Sequence, residues 1–172
     1  MSSPIAAFDL ETTGLSPRSG ARIIEIGAVI IKYGVITAEF SSLIYTSQKI
    51  PLQVTRIHGI TNDMLDGQPM PEDVFPAFMN FIGKIPLIAH NAHFDFSFLR
   101  HELRYIGFDL FNEGICTLEL SRRLLPHLSN HRLETVARHL LGDLPEGIRL
   151  HRALDDARLT ALIWKEMTMM QK

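Results

Sequence analysis

The chain has 172 residues, 46% of them hydrophobic, the length and apolar mass of one soluble globular domain spanning residues 1–172. Its formal net charge of −2 argues against a protein that grips long nucleic acid with a basic stripe, while an acidic cluster loaded with divalent cations leaves a short, local grip on a polyanion open. The lone cysteine, Cys116, excludes an internal disulfide and is expected as a small core residue. No apolar run approaches the roughly 18 residues of a membrane span, and the start lacks a basic signal region, so a cytoplasmic location is expected.

Taken in chain order, residues 5–10 (IAAFDL) read as a buried strand. The Ile- and Val-rich stretch that follows, broken at Tyr33-Gly34, predicts strands at about 22–32 and 35–45 joined as a hairpin. Pro51 and Gly59 then punctuate short helical turns, with Thr61-Asn62 as a candidate cap. After Pro71, the spacing of Val74, Phe75, Phe78, Phe81 and Ile82 predicts a helix that stops at Gly83. A fourth strand lies in IPLIAHN, and a helix beginning near Asp95 buries Phe98, Leu99, Glu102, Leu103 and Ile106 on one face. A fifth strand at about 115–117 leads into the helix LELSRRLLP. The helices HRLETVARHLLG and ALDDARLTALIWKEMTMM close the chain, the last ending in Met167, Met169 and Met170. A meander of three strands followed by strands alternating with helices predicts an α/β fold of the ribonuclease-H-like kind, a mixed five-stranded sheet flanked by helices.

Within that frame, four carboxylates are out of place. Side chains two apart on a strand share a face, so Asp9 and Glu11 point together while Phe8 and Leu10 face the other way. Solvated acids at a strand end are the simpler alternative. Asp95 falls on the core-facing stripe with Phe98 and Leu99 three and four residues on. Asp156 shares a helix face with Ala153, Ala157, Thr160, Ile163 and Trp164, whereas Asp155 is turned about 100° away. His151 diverges from Asp156 by roughly 140° on one continuous helix, so the two converge only if His151 sits in the loop that Pro145 and Gly147 create. A loop histidine suits a general base, since an ordinary imidazole titrates near neutrality. Unpaired buried acids are costly as a core. They make sense as oxygen ligands for two hard divalent cations, Mg²⁺ or Mn²⁺, in phosphodiester hydrolysis.

The stretches FDLETTGL (8–15), HNAHFDFSFL (90–99) and HRALDDA (151–157), with RIIEIGAV, RIHGIT and TLELSRRLLP between them, resemble the DEDDh class of DnaQ-like 3′→5′ exonucleases over nearly the whole chain. That family includes the proofreading epsilon subunit of bacterial DNA polymerase III and the exonuclease domain of the Gram-positive replicative polymerase. The resemblance implies metal ligands at Asp9, Glu11, Asp95 and Asp156, with Asp9 bridging both ions, and a general base at His151. It implies contacts to the terminal nucleotide from Thr12, Thr13, Gly14, Leu15 and His58, and from Asn91 a contact either to a phosphate or to the residues that hold the metals. The bland alternatives for these are a turn glycine, a core leucine and a loop histidine. The expected substrate is the single-stranded 3′ end of a nucleic acid, DNA ahead of RNA, cleaved in proofreading or repair. A DNA polymerase subunit is the expected protein partner, and no membrane is. An exoribonuclease and a non-catalytic, polymerase-binding module of the same fold remain as alternatives.

Overall fold

The computed structural model describes residues 3–171. Its centre is β1 (Ile5–Thr12), flanked by the antiparallel β2 (Ile23–Lys32) and β3 (Val35–Leu43) on one side. The parallel β4 (Leu87–Ala89) and β5 (Gly114–Cys116) lie on the other side, in the order β3-β2-β1-β4-β5. The β2–β3 hairpin turns through Tyr33 and Gly34, both at positive φ, the backbone that a two-residue turn needs to match strand twist. Seven helices are described: α1 (Leu52–His58), α2 (Asn62–Leu65), α3 (Pro71–Ile82), α4 (Ala92–Tyr105), α5 (Thr117–Leu124), α6 (Leu133–Leu141) and α7 (Ala153–Met169). This is the mixed, five-stranded ribonuclease-H-like sheet that the sequence predicts. Among the described residues, no helix is long and apolar enough to cross a membrane.

The alternation along β1 divides the molecule. Ala6, Phe8 and Leu10 enter a core with Phe75 and Phe78 of α3 and Phe96, Phe98 and Leu99 of α4. Phe8 packs edge-on to Phe96 at 5.3 Å between ring centroids. On the other face, Ala7 packs with Val29, Ile88 and Ala161 of α7. Asp9 and Glu11 continue that second face toward the start of α7. There Gly27, opposite Asp9 in the β1–β2 register, lets the helix touch the sheet: a Cβ on Gly27 would lie 2.2 Å from the Leu154 nitrogen.

Several expectations shift. β1 runs two residues further than predicted, to Thr12, because it stays paired to β2 through an irregularity between Glu11 and Thr12. The third strand stops at Leu43, and α4 begins at Ala92, three residues before Asp95. Thr61 does cap α2, its hydroxyl accepting from the Met64 amide. Of the three terminal methionines only Met167 is buried; Met169 and Met170 are exposed. Leu15 is no core residue, being 89% exposed. His58 is the last residue of α1, and buried, instead of a loop histidine. Cys116 packs against the core but is only partly buried.

Candidate active site

The four acids reach the site from three elements. Asp9 and Glu11 come from β1, Asp95 from the first turn of α4, and Asp156 from the first turn of α7. Asp95 is 3% and Asp156 7% exposed. Asp9 is in the field of Asp95, Asp156 and Glu11. His151 lies in the connection before α7, at φ 62. Its amide donates to Asp156 Oδ2 at 2.9 Å, which bends the loop back onto the helix it precedes. Atoms of Glu11, His151 and Asp156 that can ligate a metal lie within 4.8 Å of one another. Asp155 is turned aside, accepting from the Arg149 amide and pairing with Arg158.

Burial away from water raises the proton affinity of all four acids, and neighbouring carboxylates add to it, the other three acids and Glu25 acting on Asp9, and Asp155 and Glu25 acting on Asp156. Asp9 and Asp95 are held well above the usual carboxylate range. Glu11 is pushed up to about 8 and Asp156 to about 7. Cations between them would offset both causes by favouring the charged form. Asp156 Oδ1 fits such a group directly: it is buried and has no hydrogen-bond partner, a costly state unless a ligand completes it. An all-oxygen donor set with one imidazole beside it matches a hard divalent ion.

The residues implied as substrate contacts divide. The Thr12 hydroxyl donates to the Gly14 carbonyl at 2.7 Å, and Thr13 Oγ1 accepts from the Arg22 amide at 2.9 Å. These side chains shape the turn, and Gly14 sits closely against Ala21, with a Cβ on it falling 3.2 Å from the Ala21 Cβ. Leu15 projects from that turn into solvent. His58 Nδ1 accepts from the Ile60 amide at 2.9 Å, and its Nε2 is buried without a partner near the Thr12 carbonyl. Burial lowers its pKa. Asn91, at φ 71, precedes α4 at the rim of a cleft that also contains His151 and Asp156.

Sequence reasoning missed one residue of the site. Glu25, opposite Glu11 across the β1–β2 ladder and 2% exposed, accepts from Arg152 Nε and Nη2 at 3.1 and 2.6 Å and from the Ala153 amide at 3.0 Å. It therefore ties down the residues between His151 and Asp156. The signal was a single acid inside the apolar run RIIEIGAV.

Comparison with known proteins assigns the chain to a family. The RNase_T family model, described as Exonuclease, matches residues 6–164. The chain is 44% identical over 161 residues to the PolC-type DNA polymerase III of Clostridium perfringens, covering 92% of itself but 11% of that protein. It is 37% identical over 158 residues to the DNA polymerase III subunit epsilon of Aquifex aeolicus, covering 91% of itself and 76% of the subunit. The solved structure of Exonuclease X in complex with 5′ overhanging duplex DNA superposes with a TM-score of 0.75 at 32% identity, over 96% of this chain and 91% of that one. The chain thus spans only a small part of the PolC-type polymerases it matches, while matching the epsilon subunit and Exonuclease X over most of their length. It belongs to the exonuclease family that the RNase_T model describes.

Proposed function

We propose that the chain is a 3′→5′ exonuclease that uses two divalent ions, Mg²⁺ or Mn²⁺, and acts as a single domain on single-stranded DNA ends. It releases nucleoside 5′-monophosphates in proofreading or repair. The observation that carries this reading is the set of four acids raised by burial, two of them grouped with His151 at metal-ligand distance, with a partnerless Asp156 oxygen among them. Asp9, Glu11, Asp95 and Asp156 would hold the ions, which supply positive charge for an activated water and for the leaving oxygen. His151 takes the proton of the attacking water on its imidazole, and the Asp156–His151 backbone bond keeps that ring within reach. Leu15, exposed beside the site, offers an apolar contact to the terminal base, with Thr12, Thr13, Gly14, His58 and Asn91 lining the approach. The PolC-type and epsilon relatives support a DNA polymerase as the protein partner.

The test is digestion of 5′-labelled DNA and RNA oligonucleotides of one sequence with Mg²⁺ or Mn²⁺. The expected result is stepwise shortening from the 3′ end, faster on DNA, and abolished by EDTA. Asp9→Ala and His151→Ala should each lose at least about 10²-fold in rate. Full activity of either variant, or turnover in EDTA, would overturn the residue roles. Faster loss of RNA would overturn the choice of substrate, and no cleavage of either would leave a binding module.

A further inference from the structure

We propose that the cleft between the His151 loop and the α5–α6 connection binds the phosphodiester backbone of the strand being cleaved, with Arg122 and Arg132 as its phosphate contacts. The proposal rests on the exonuclease reading and extends it beyond the terminal nucleotide. The cleft has a volume of about 740 Å³, in the upper part of the roughly 300–1,000 Å³ range of ligand clefts. Its lining includes His151 and Asp156 together with Arg122, Asn130 and Arg132. Two arginines thus share a cleft with a residue of the acidic site, in a chain whose net charge is −2.

The two arginines keep their charge available, unlike the five that pair with acids. Arg22, Arg104, Arg138, Arg152 and Arg158 are committed to carboxylates. Arg122 and Arg132 are exposed, and among the described residues they are in no ion pair. Glu134, the acid on the same wall, is already held by Arg138 at 3.0 Å. The positive charge of this wall is thus not cancelled locally, and a planar guanidinium matches phosphate oxygens bidentately.

The wall is also built rigidly onto the site. His90, at the end of β4, joins Thr117 Oγ1 through Nδ1 at 3.0 Å and donates from Nε2 to the His131 carbonyl at 2.8 Å. His131 Nδ1 meets Ser121 Oγ at 3.1 Å. Asn130 Oδ1 accepts from the Arg132 amide and the Thr135 hydroxyl. The loop bearing Arg132 is thereby fixed to the strand that leads into Asp95, an arrangement that lowers the ordering cost of binding. Topology gives the direction. Thr12 and His58 lie toward β2, while the cleft lies toward β4 and β5. A strand whose last nucleotide rests near Thr12–Leu15 crosses the end of β1 and continues along the arginines.

Two measurements on Arg122→Ala, Arg132→Ala and the double variant test this. The first compares kcat/KM on a ten-nucleotide single strand with that on the p-nitrophenyl ester of thymidine 5′-monophosphate, which has no further phosphates. The oligomer-to-ester ratio should fall about tenfold in the double variant, and the plot of log KM for the oligomer against log salt should flatten by about 0.7 per arginine removed. An unchanged ratio and slope, or equal losses on both substrates, would overturn the proposal. The second reads binding without turnover, by anisotropy of a fluorescein-labelled ten-nucleotide strand in Ca²⁺. Weaker binding by the double variant, with the same flattening of salt dependence, supports the cleft; binding equal to that of the unsubstituted chain overturns it. If the unsubstituted chain cleaves nothing, the exonuclease reading falls and the binding measurement still decides the cleft.

Discussion

Arg152→Ala removes one side of the clasp that holds the start of α7, and its cost can be worked from the geometry. The substitution leaves Glu25, buried opposite Glu11, with the Ala153 amide as its remaining donor. Removing one partner of a buried pair costs about 3–5 kcal/mol because the other charge stays behind. The Arg152 side chain is 28% exposed, so water reaches the vacated space and the lower end, about 3 kcal/mol, applies. At about 2–4 °C per kcal/mol for a chain of this size, the melting midpoint falls by roughly 6–12 °C. Glu25→Gln removes the stranded charge while keeping the shape, so Glu25→Gln/Arg152→Ala should melt above Arg152→Ala alone. Arg152 directly follows His151, so loosening it displaces the histidine loop first, and hydrolysis should drop about 10–100-fold. Thermal melts by circular dichroism in chelator, closed as a double-mutant cycle, measure the coupling. A midpoint within about 2 °C of the unsubstituted chain, or a double variant no more stable than Arg152→Ala, would refute the reasoning.

Two further outcomes follow from the same region. Because the folded pKa values of Glu11 and Asp156, about 8 and about 7, lie above their ordinary values of 4.5 and 3.8, the folded chain holds more protons than the unfolded one between those limits. Their contribution to stability is complete below about pH 4 and is lost as pH rises through 7 and 8. The metal-free midpoint should therefore fall from about pH 5 to pH 8, and added Mg²⁺ or Mn²⁺ should raise it more at the upper end; a metal-independent midpoint that climbs over this range would count against the site. In Gly27→Ala, the new methyl meets backbone of Ala153 and Leu154 at 2.2–2.4 Å, which only movement of α7 relieves. Urea unfolding should show a loss above the usual overpacking cost of about 1–3 kcal/mol, and a variant as stable as the parent would show that the helix start yields easily.

The period-two pattern of IAAFDLET is enough to separate Phe8 and Leu10 from Asp9 and Glu11, because one face of β1 is filled by aromatic side chains and any slip would bury the acids there. The inward stripes of α4 and α7 are legible for the same reason: apolar neighbours at helical spacing fix the side on which Asp95 and Asp156 stand. Other features depend on contacts remote in sequence. Glu25 meets Arg152 across 127 positions and Glu102 meets Arg22 across 80, so neither partner can be found from local pattern. The β1 extension to Thr12 depends on its ladder with β2. The exposure of Leu15 depends on a turn whose hydroxyls are consumed by backbone groups. The cleft wall is set by His90 reaching a carbonyl 41 positions away.

Burial alone does not distinguish the acids proposed to hold metal from those that hold the fold. Glu25, Asp95, Glu102 and Asp156 are all buried. Glu25 and Glu102 each face an arginine through at least two side-chain bonds, Glu102 with Arg22 Nε and Nη2 at 2.7 and 2.8 Å. Asp95 and Asp156 have no such partner among the described residues, and neither do Asp9 and Glu11. A buried acid with a guanidinium is already neutralised and has little left to offer a ligand. One held only by backbone amides keeps its charge deficit, which a cation can fill and an apolar core cannot. The two arginine clasps also sit on either side of the unpaired acids, Arg22–Glu102 joining α4 to the start of β2 and Arg152–Glu25 joining α7 to β2. They hold the helices that carry Asp95 and Asp156 against the repulsion that those acids create. The fold thus keeps its like charges together by pairing the acids around them, leaving the central ones unpaired.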